Sequence, residues 1–221
     1  MSFITGLEKY FGAYEELLVE ADQAFERAKS RYPGEIRCQE GCYDCCYVNV
    51  FFLLLVEELY LYQDYLKCNS SLRRKIDTNL SAAWAEISAW GFLAGSEYSS
   101  RHWKEHIENA ADSKILCPLV IDGACALYQY RPVICRLYGA PLITEEGGAY
   151  LNCDMNPFAT GKVYATIVNS YFEERTSEIN DQMIEELTGL KITESNMPLI
   201  ADSLKEMKLF EEIEPLFRES R

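Results

Sequence analysis

Four cysteines lie within nine residues of this chain, in the order Cys38-x3-Cys42-x2-Cys45-Cys46. Thiolates at this density repel one another unless a metal ion or a cluster neutralises them, so the spacing favours metal binding. A second group follows between residues 117 and 153 and consists of Cys117, Cys125, Cys135 and Cys153. Glycines and prolines in this second segment predict tight turns that direct several sulfur atoms inward. We therefore predict eight metal ligands in two segments, residues 38–46 and 117–153.

Burial in a core and a disulfide framework both account less well for the cysteines. Free cysteine is a common core residue, but burial alone does not account for four cysteines within nine positions. A disulfide framework requires export, and the N-terminal sequence has early acidic residues without a basic flank before an apolar stretch, which predicts that it is not a signal peptide. The ninth cysteine, Cys68, follows a helix-like stretch and has no near partner in the sequence. We expect it to be an ordinary thiol.

Eight thiolates exceed what one metal site uses. A structural zinc ion takes four ligands, and an iron–sulfur cluster is typically held by four thiolates. The cysteines therefore suit two four-ligand sites, or one cluster with the remaining thiols in a supporting or redox role. Thiolates bind both zinc and iron, so the ligand type leaves the metal open. The adjacent pair Cys45-Cys46 places neighbouring sulfurs in different directions, as needed to serve two metal atoms or a polynuclear centre such as a [4Fe–4S] cluster, and we predict iron.

Arg131 and Arg136 bracket Cys135 within an apolar stretch. A zinc ion with four thiolates, or an oxidised four-iron cluster with four thiolates, carries about two negative charges. The ordinary charges between residues 113 and 153 cancel and do not offset that charge. We predict that the two guanidinium groups donate hydrogen bonds around the metal ligands and so contribute to cofactor binding; the alternative is that both are solvated.

Taken together, these motifs resemble the zinc- or iron-chelating CxxCxxCC cysteine-cluster family, which includes the flagellin lysine N-methylases. The resemblance is carried by the first four cysteines, Cys117-Pro118, Gly123-x-Cys125, Tyr128, Arg131-Pro132-x-x-Cys135-Arg136 and Cys153. It covers about residues 38–153, although the first gap here is three residues rather than two. The resemblance implies metal binding, with iron–sulfur chemistry and methyl transfer from S-adenosylmethionine to lysine in the methylase branch. A metal-binding protein is therefore the first interpretation, and a methylase is the alternative.

Two further motifs suggest different chemistry. Cys38-x3-Cys42-x2-Cys45 has the spacing of radical S-adenosylmethionine enzymes, but Asp44 occupies the position before the third cysteine, where those enzymes usually have an aromatic residue. The strand–helix alternation of their barrel is also missing from the sequence that follows. His102-Trp103-Lys104-Glu105-His106 matches an inverted zinc-protease pattern, yet its neighbours predict a solvated amphipathic helix. Metal binding by the cysteines remains the favoured interpretation.

The charge of the chain restricts its partners. It contains 21 basic and 35 acidic residues, which gives a net charge of −14. This charge argues against nucleic acid and anionic membranes as partners and leaves metal ions as the predicted ligand. The final 49 residues hold 13 acidic and 6 basic residues, a pattern typical of a solvated helical face or of a surface for a basic protein partner or substrate. The longest apolar run, residues 50–56, is far below the ~20 residues of a membrane helix, and we expect a cytoplasmic protein.

Helical periodicity dominates the chain outside the second cysteine segment. Helices are predicted over residues 7–30, 48–67, 71–93, 99–111, 162–187 and 198–217. Residues 115–153 are the least helical, with short strands expected at 115–121 and 150–153 and a hairpin turn at Gly147-Gly148. The predicted fold is mostly α, a single domain over residues 1–221 with at most a small β-hairpin and an acidic helical part at 162–221. Metal binding would join segments 70 residues apart and so contribute to folding.

Overall fold

The computed structural model describes residues 6–48, 53–89, 115–143, 150–151 and 153–188. Contacts within the chain group these residues into two compact units. The first unit comprises the described residues between 43 and 130, and the second comprises residues 6–42 together with those between 131 and 188. A grouping of contacts does not define an independently folding domain, so the single domain expected over residues 1–221 stays a prediction.

The described residues are mostly helical, as predicted. The helices are α1 (Glu8–Arg31), α2 (Cys45–Val48), α3 (Leu55–Lys67), α4 (Ser70–Ala89), α5 (Val133–Leu137) and α6 (Asn169–Thr188), with a 3-10 turn at Tyr128–Tyr130. The strands are β1 (Val120–Ile121), β2 (Ala124–Cys125), β3 (Leu142–Ile143), β4 (Tyr150–Leu151) and β5 (Ile167–Val168). None of the helices in these described ranges combines the length and the apolar character needed to cross a bilayer.

In the first unit, a tight hairpin follows the helices. Strands β1 and β2 are antiparallel, with Val120 opposite Cys125 and Ile121 opposite Ala124. Asp122 and Gly123 form the two-residue turn and have φ values of 52° and 84°. A positive φ at both central residues is what a type I′ hairpin turn requires, and Asp-Gly is a favoured pair for it. The side-chain amide of Asn79 in α4 donates a hydrogen bond to the carbonyl of Val120 at 3.1 Å, which attaches the hairpin to that helix.

In the second unit, α1 packs against α5 and α6. Its apolar residues recur every three or four positions, so Tyr14, Leu17 and Ala21 are all buried on one face. This helix confirms the prediction for residues 7–30. Strands β3, β4 and β5 form a small sheet in the order β4-β3-β5, in which β4 is antiparallel and β5 parallel to the central strand.

Two predicted helices have different starting points in the structure. The helix predicted from residue 162 begins at Asn169, because Ile167 and Val168 are β-branched and pair with β3 as strand β5. The strands therefore exceed the single small hairpin that was expected. Similarly, α3 begins at Leu55 because Leu54 is extended with ψ 156°, and the Glu57 carboxylate accepts the Leu54 N–H at 3.1 Å.

The remaining expectations depend on how much of the chain is described. Helix α4 confirms the helix predicted from residue 71, and the pairing of β3 with β4 agrees with a hairpin around residues 147–148. That turn itself, the helices at 99–111 and 198–217 and the histidine motif at 102–106 lie outside the described residues.

Candidate metal centre

The two compact units divide the eight predicted ligands equally. We call Cys45, Cys46, Cys117 and Cys125, which belong to the first unit, the first quartet, and Cys38, Cys42, Cys135 and Cys153, which belong to the second unit, the second quartet. The division falls inside the dense motif, between Cys42 and Tyr43. Each quartet has the number of thiols that one structural zinc ion or one four-iron cluster uses. Two four-ligand sites, one of the alternatives left open by the sequence, stay a prediction that matches this division in number.

In the first quartet, a backbone hydrogen bond brings the two cysteine segments together. The N–H of Cys117 donates to the carbonyl of Cys46 at 2.9 Å, although 70 residues separate them in the sequence. Cys45 and Cys46 open helix α2, and interaction with the Cys46 thiol raises the pKa of Cys45. The sequence therefore folds so that the adjacent pair meets the start of the second segment.

The β1–β2 hairpin returns the chain toward this point. The N–H of Val120 donates to the carbonyl of Cys117 at 3.0 Å, and Val120 pairs with Cys125 across the hairpin. The ring of Tyr43, two residues before Cys45, lies against the hairpin turn, 3.7 Å from where a Cβ on Gly123 would stand. These contacts hold all four cysteines of the first quartet in one region of the first unit.

Burial and neighbouring thiols raise the pKa values of Cys45 and Cys117. Burial raises the pKa of Cys117 to about 12, and the neighbouring Cys125 and Cys45 add to the increase. The pKa of Cys45 is raised as well, first by its hydrogen bond with Cys46 and then by burial. Such thiols are protonated at neutral pH in the absence of a cation. Metal binding would therefore release protons from them, because only the thiolate is a ligand.

In the second quartet, Cys38 lies directly against Gly139. A Cβ atom built on Gly139 would stand 2.7 Å from the Cβ and 3.2 Å from the Sγ of Cys38, and Gly139 has a φ of 103°. Both features require glycine, since any side chain would displace the cysteine and strain the backbone. The close approach brings Cys38 to the chain that follows α5, the helix that carries Cys135.

Asn156 joins three segments of the second quartet. Its side-chain oxygen accepts the N–H of Arg37 at 2.9 Å, and its amide nitrogen donates to the carbonyl of Gly139 at 2.6 Å. Its backbone N–H donates to the carbonyl of Cys153 at 2.9 Å. Asn156 is buried, with 8% of its surface exposed. Asn156 therefore joins Cys153 and the residue before Cys38 to the turn that follows α5, while Cys42 is exposed.

Arg131 and Arg136 both contact Asp22 of α1. A guanidinium nitrogen of Arg136 lies 2.5 Å from one Asp22 oxygen, and one of Arg131 lies 3.5 Å from the other. The Nε of Arg136 also donates to the carbonyl of Arg131 at 3.0 Å. Because the Arg136 side chain is 5% exposed, this pair fixes α5, and with it Cys135, against α1. The predicted role of the two arginines in offsetting metal charge stays a prediction.

The ninth cysteine, Cys68, bonds to its own helix. It caps the C-terminus of α3, and its Sγ lies 3.5 Å from the carbonyl of Asp64, four residues earlier. A thiol bonded to the preceding turn behaves as an ordinary polar side chain at a helix end.

The sulfur atoms do not have the spacing of a metal-bound site. Within the described ranges, which include all nine cysteines, no disulfide forms, and no group of three cysteine, histidine, aspartate or glutamate side chains stands at ligand spacing. The structure thus establishes which cysteines share a unit and leaves the coordination itself as a prediction.

Sequence reasoning missed three residues that organise this region, namely Asp22, Gly139 and Asn156. Asp22 has no sequence signal, because its partners lie more than 100 residues away. Gly139 belongs to the segment whose glycines and prolines predict tight turns, but nothing in the sequence marks it as a point of close approach. Asn156 follows Cys153 by three positions, and that spacing is its only signal.

Comparison with known proteins adds no further constraint. The chain matches no protein-family model, and no curated protein or solved structure shows significant similarity to it. The resemblance to the cysteine-cluster family accordingly stays a prediction that rests on the motifs themselves.

Proposed function

We propose that this protein binds metal through its eight clustered cysteines, as two four-cysteine sites with one in each compact unit. Each site holds an iron–sulfur cluster or a zinc ion, and the role is redox, metal handling or structural support. The hydrogen bond from the Cys117 N–H to the carbonyl of Cys46 is the observation that carries this proposal, because it joins the two cysteine segments without the help of any metal.

The thiol contacts of the first quartet support the same conclusion. Burial raises the pKa of Cys117, Cys125 and Cys45 add to the increase, and Cys46 raises the pKa of Cys45, so these side chains lie within interaction range of one another. No three potential ligand side chains of the described residues stand at ligand spacing, so metal binding would draw the sulfurs together, with bonds of about 2.3 Å for zinc. The binding free energy would offset this local rearrangement and the deprotonation of the thiols.

The positions of the ligands in the sequence imply that bound metal would stabilise the fold. Each quartet combines residues of the 38–46 segment with residues of the 117–153 segment. A metal ion in either site would cross-link distant parts of the chain and stabilise the unit that holds it. A redox or metal-handling role would require in addition that the metal change oxidation state or leave.

Paired substitutions test the two-site arrangement. Cys45→Ser/Cys117→Ser removes two ligands from the first quartet, and Cys38→Ser/Cys135→Ser removes two from the second. Metal analysis of anaerobically purified protein should show that each double variant loses about half of the bound metal. Complete loss in both variants would instead indicate one centre built from all eight thiols, and unchanged metal in both would refute the proposal.

The alternative function is an iron–sulfur-dependent lysine N-methylase that uses S-adenosylmethionine. It rests on the resemblance of the cysteine motifs to the family that contains such enzymes. Transfer of a labelled methyl group from S-adenosylmethionine to a lysine-rich protein, abolished by the Cys45→Ser/Cys117→Ser variant, would support it.

A further inference from the structure

A pocket of about 680 Å³ lies beside α1 in the second unit. This volume falls in the range of roughly 300–1,000 Å³ that small-molecule sites occupy. One wall is formed by α1 and the other by residues 165–168 together with the first turn of α6. None of the cysteines lines it, so the pocket is separate from both quartets.

The pocket exists because α1 presents small side chains here. Ala24 and Ala28 lie one turn apart on the same face of the helix and leave the space open. Across from them, Phe172 is buried, whereas Val168 and Tyr171 remain 52% and 44% exposed. The walls are therefore largely apolar, and part of that apolar surface is left for a ligand to cover.

The positive charge is concentrated at one end of the pocket. Arg27 and Arg31 are four residues apart on α1 and both line the cavity. Neither forms an ion pair with another residue of the described ranges, and the Arg31 guanidinium lies 5.8 Å from the ring centroid of Tyr32. Like charges at this spacing destabilise a helix. A cation in the last turn of a helix interacts favourably with the helix dipole, and this accounts for Arg31. It does not account for Arg27, which lies one turn earlier.

The opposite end of the pocket has a different character. Glu20 lies there, and one of its carboxylate oxygens accepts the hydroxyl of Tyr171 at 2.8 Å. A negative charge would be repelled from this end and attracted to the end with the two arginines. An asymmetric ligand would therefore enter in one orientation, with its apolar body along the alanines and its anionic group at Arg27 and Arg31.

We propose that this pocket binds a small organic anion with an apolar body and a terminal carboxylate or phosphate. The apolar walls and the paired arginines match the two parts of such a molecule. In a chain of net charge −14, two cations without carboxylate partners in the described ranges form the kind of local field that can hold an anion. The proposal does not depend on the metal sites.

Three probes that share a naphthalene ring test it on the purified protein. These are 1-naphthyl phosphate, 1-naphthoate and the neutral 1-naphthalenemethanol, titrated at low salt and followed by fluorescence. We expect at least one of the two anions to bind at least tenfold more tightly than the alcohol. The tighter of the two then identifies the preferred anionic group. Equal affinity for all three, or no binding by either anion, would overturn the proposal.

Variants locate the site. Arg27→Gln/Arg31→Gln should weaken anion binding at least tenfold and leave the affinity for the alcohol unchanged, whereas Ala28→Leu should fill the pocket and weaken all three probes. Arg74→Gln, an exposed arginine of α4 that does not line the pocket, serves as the control and should change nothing. Unfolding midpoints are compared to verify that each variant is folded. Anion affinity that survives both Arg27→Gln/Arg31→Gln and Ala28→Leu in folded protein would refute the assignment.

Discussion

Gly139 and Cys38 approach each other so closely that a Cβ on the glycine would stand 2.7 Å from the Cβ of the cysteine. Real Cβ atoms do not tolerate this separation, so the contact exists only because position 139 is glycine. The same residue has a φ of 103° and accepts a hydrogen bond from the buried amide of Asn156. The backbone around the second quartet is therefore held in place by packing and hydrogen bonds before any metal is considered.

Replacing Gly139 by alanine should disrupt this part of the second unit. The new methyl group would strain a backbone of positive φ, at a cost of about 1–3 kcal/mol, and would collide with Cys38, at a further cost of about 1–3 kcal/mol. Chemical denaturation of Gly139→Ala should show the lower stability. Metal analysis should show that the loss of metal is confined to about half of the total.

Gly161→Ala is the matched control for that substitution. Gly161 has a φ of 81°, and nothing stands within 4 Å of where its Cβ would lie. It therefore tests backbone strain without collision, and it should be destabilised less than Gly139→Ala with full metal content. Equal stability and equal metal content in the two variants would show that the Cys38 contact is unimportant.

Asp22→Asn should destabilise the second unit. The substitution removes the negative charge that faces Arg136, whose side chain is almost completely buried, and it weakens the contact with Arg131. Because Asp22 itself is 44% exposed and water can partly replace it, we expect a loss of about 1–3 kcal/mol in the free energy of unfolding. Denaturant unfolding measures it.

Glu26→Gln is the corresponding control on the same helix. Glu26 is exposed and forms no salt bridge with the described residues, so the variant should stay within about 0.5 kcal/mol of the parent protein. If Asp22→Asn were as stable as Glu26→Gln, the ion pairs of Asp22 with the two arginines would not stabilise the fold. That result would favour the predicted role of the arginines beside the metal.

Cys68→Ser should change neither metal content nor stability appreciably. The Cys68 thiol bonds a carbonyl of the preceding turn, and a serine hydroxyl can form the same bond. Single serine substitutions at Cys45, Cys117 or Cys135 should in contrast lower the metal content, and Cys117→Ser is the most direct comparison. Metal loss from Cys68→Ser equal to that from Cys117→Ser would contradict the ligand assignment.

Anaerobic removal of metal should lower the midpoint of thermal unfolding. Each quartet joins segments that are distant in sequence, so metal binding free energy contributes to folding. Each kcal/mol lost should shift the midpoint by roughly 2–4 °C in a chain of this size. An unchanged midpoint would mean that the hydrogen bonds of Asn156 and Cys117 and the apolar core already hold both units without metal.

The sequence predicted the elements that depend on local patterns. The spacing of Tyr14, Leu17 and Ala21 indicated α1 because burial of one helical face follows a simple period. The strand Ile167–Val168 was missed because two residues carry too short a pattern, and its pairing with β3 is a tertiary contact. The division of the dense motif between Cys42 and Tyr43 also has no local signal, since it depends on which distant segments each half contacts.

The candidate site shows the same limit. The eight cysteines could be selected from their density alone. Their assignment to quartets required the hydrogen bond between Cys117 and Cys46 and those of Asn156, which join residues many positions apart. The role of Asp22 could not be predicted either, because acidic residues are common on amphipathic helices and its arginine partners are distant in sequence.

Metal and sulfide analysis of anaerobically purified protein tests the central claim most directly. We predict brown protein that contains iron and acid-labile sulfide, bleaches in air or on reduction, and loses about half of its metal in each paired-cysteine variant. Colourless protein with two zinc ions per chain and no sulfide would keep the two sites and contradict the preference for iron. Less than one metal ion of any kind per folded chain would contradict the proposal that these cysteines bind metal.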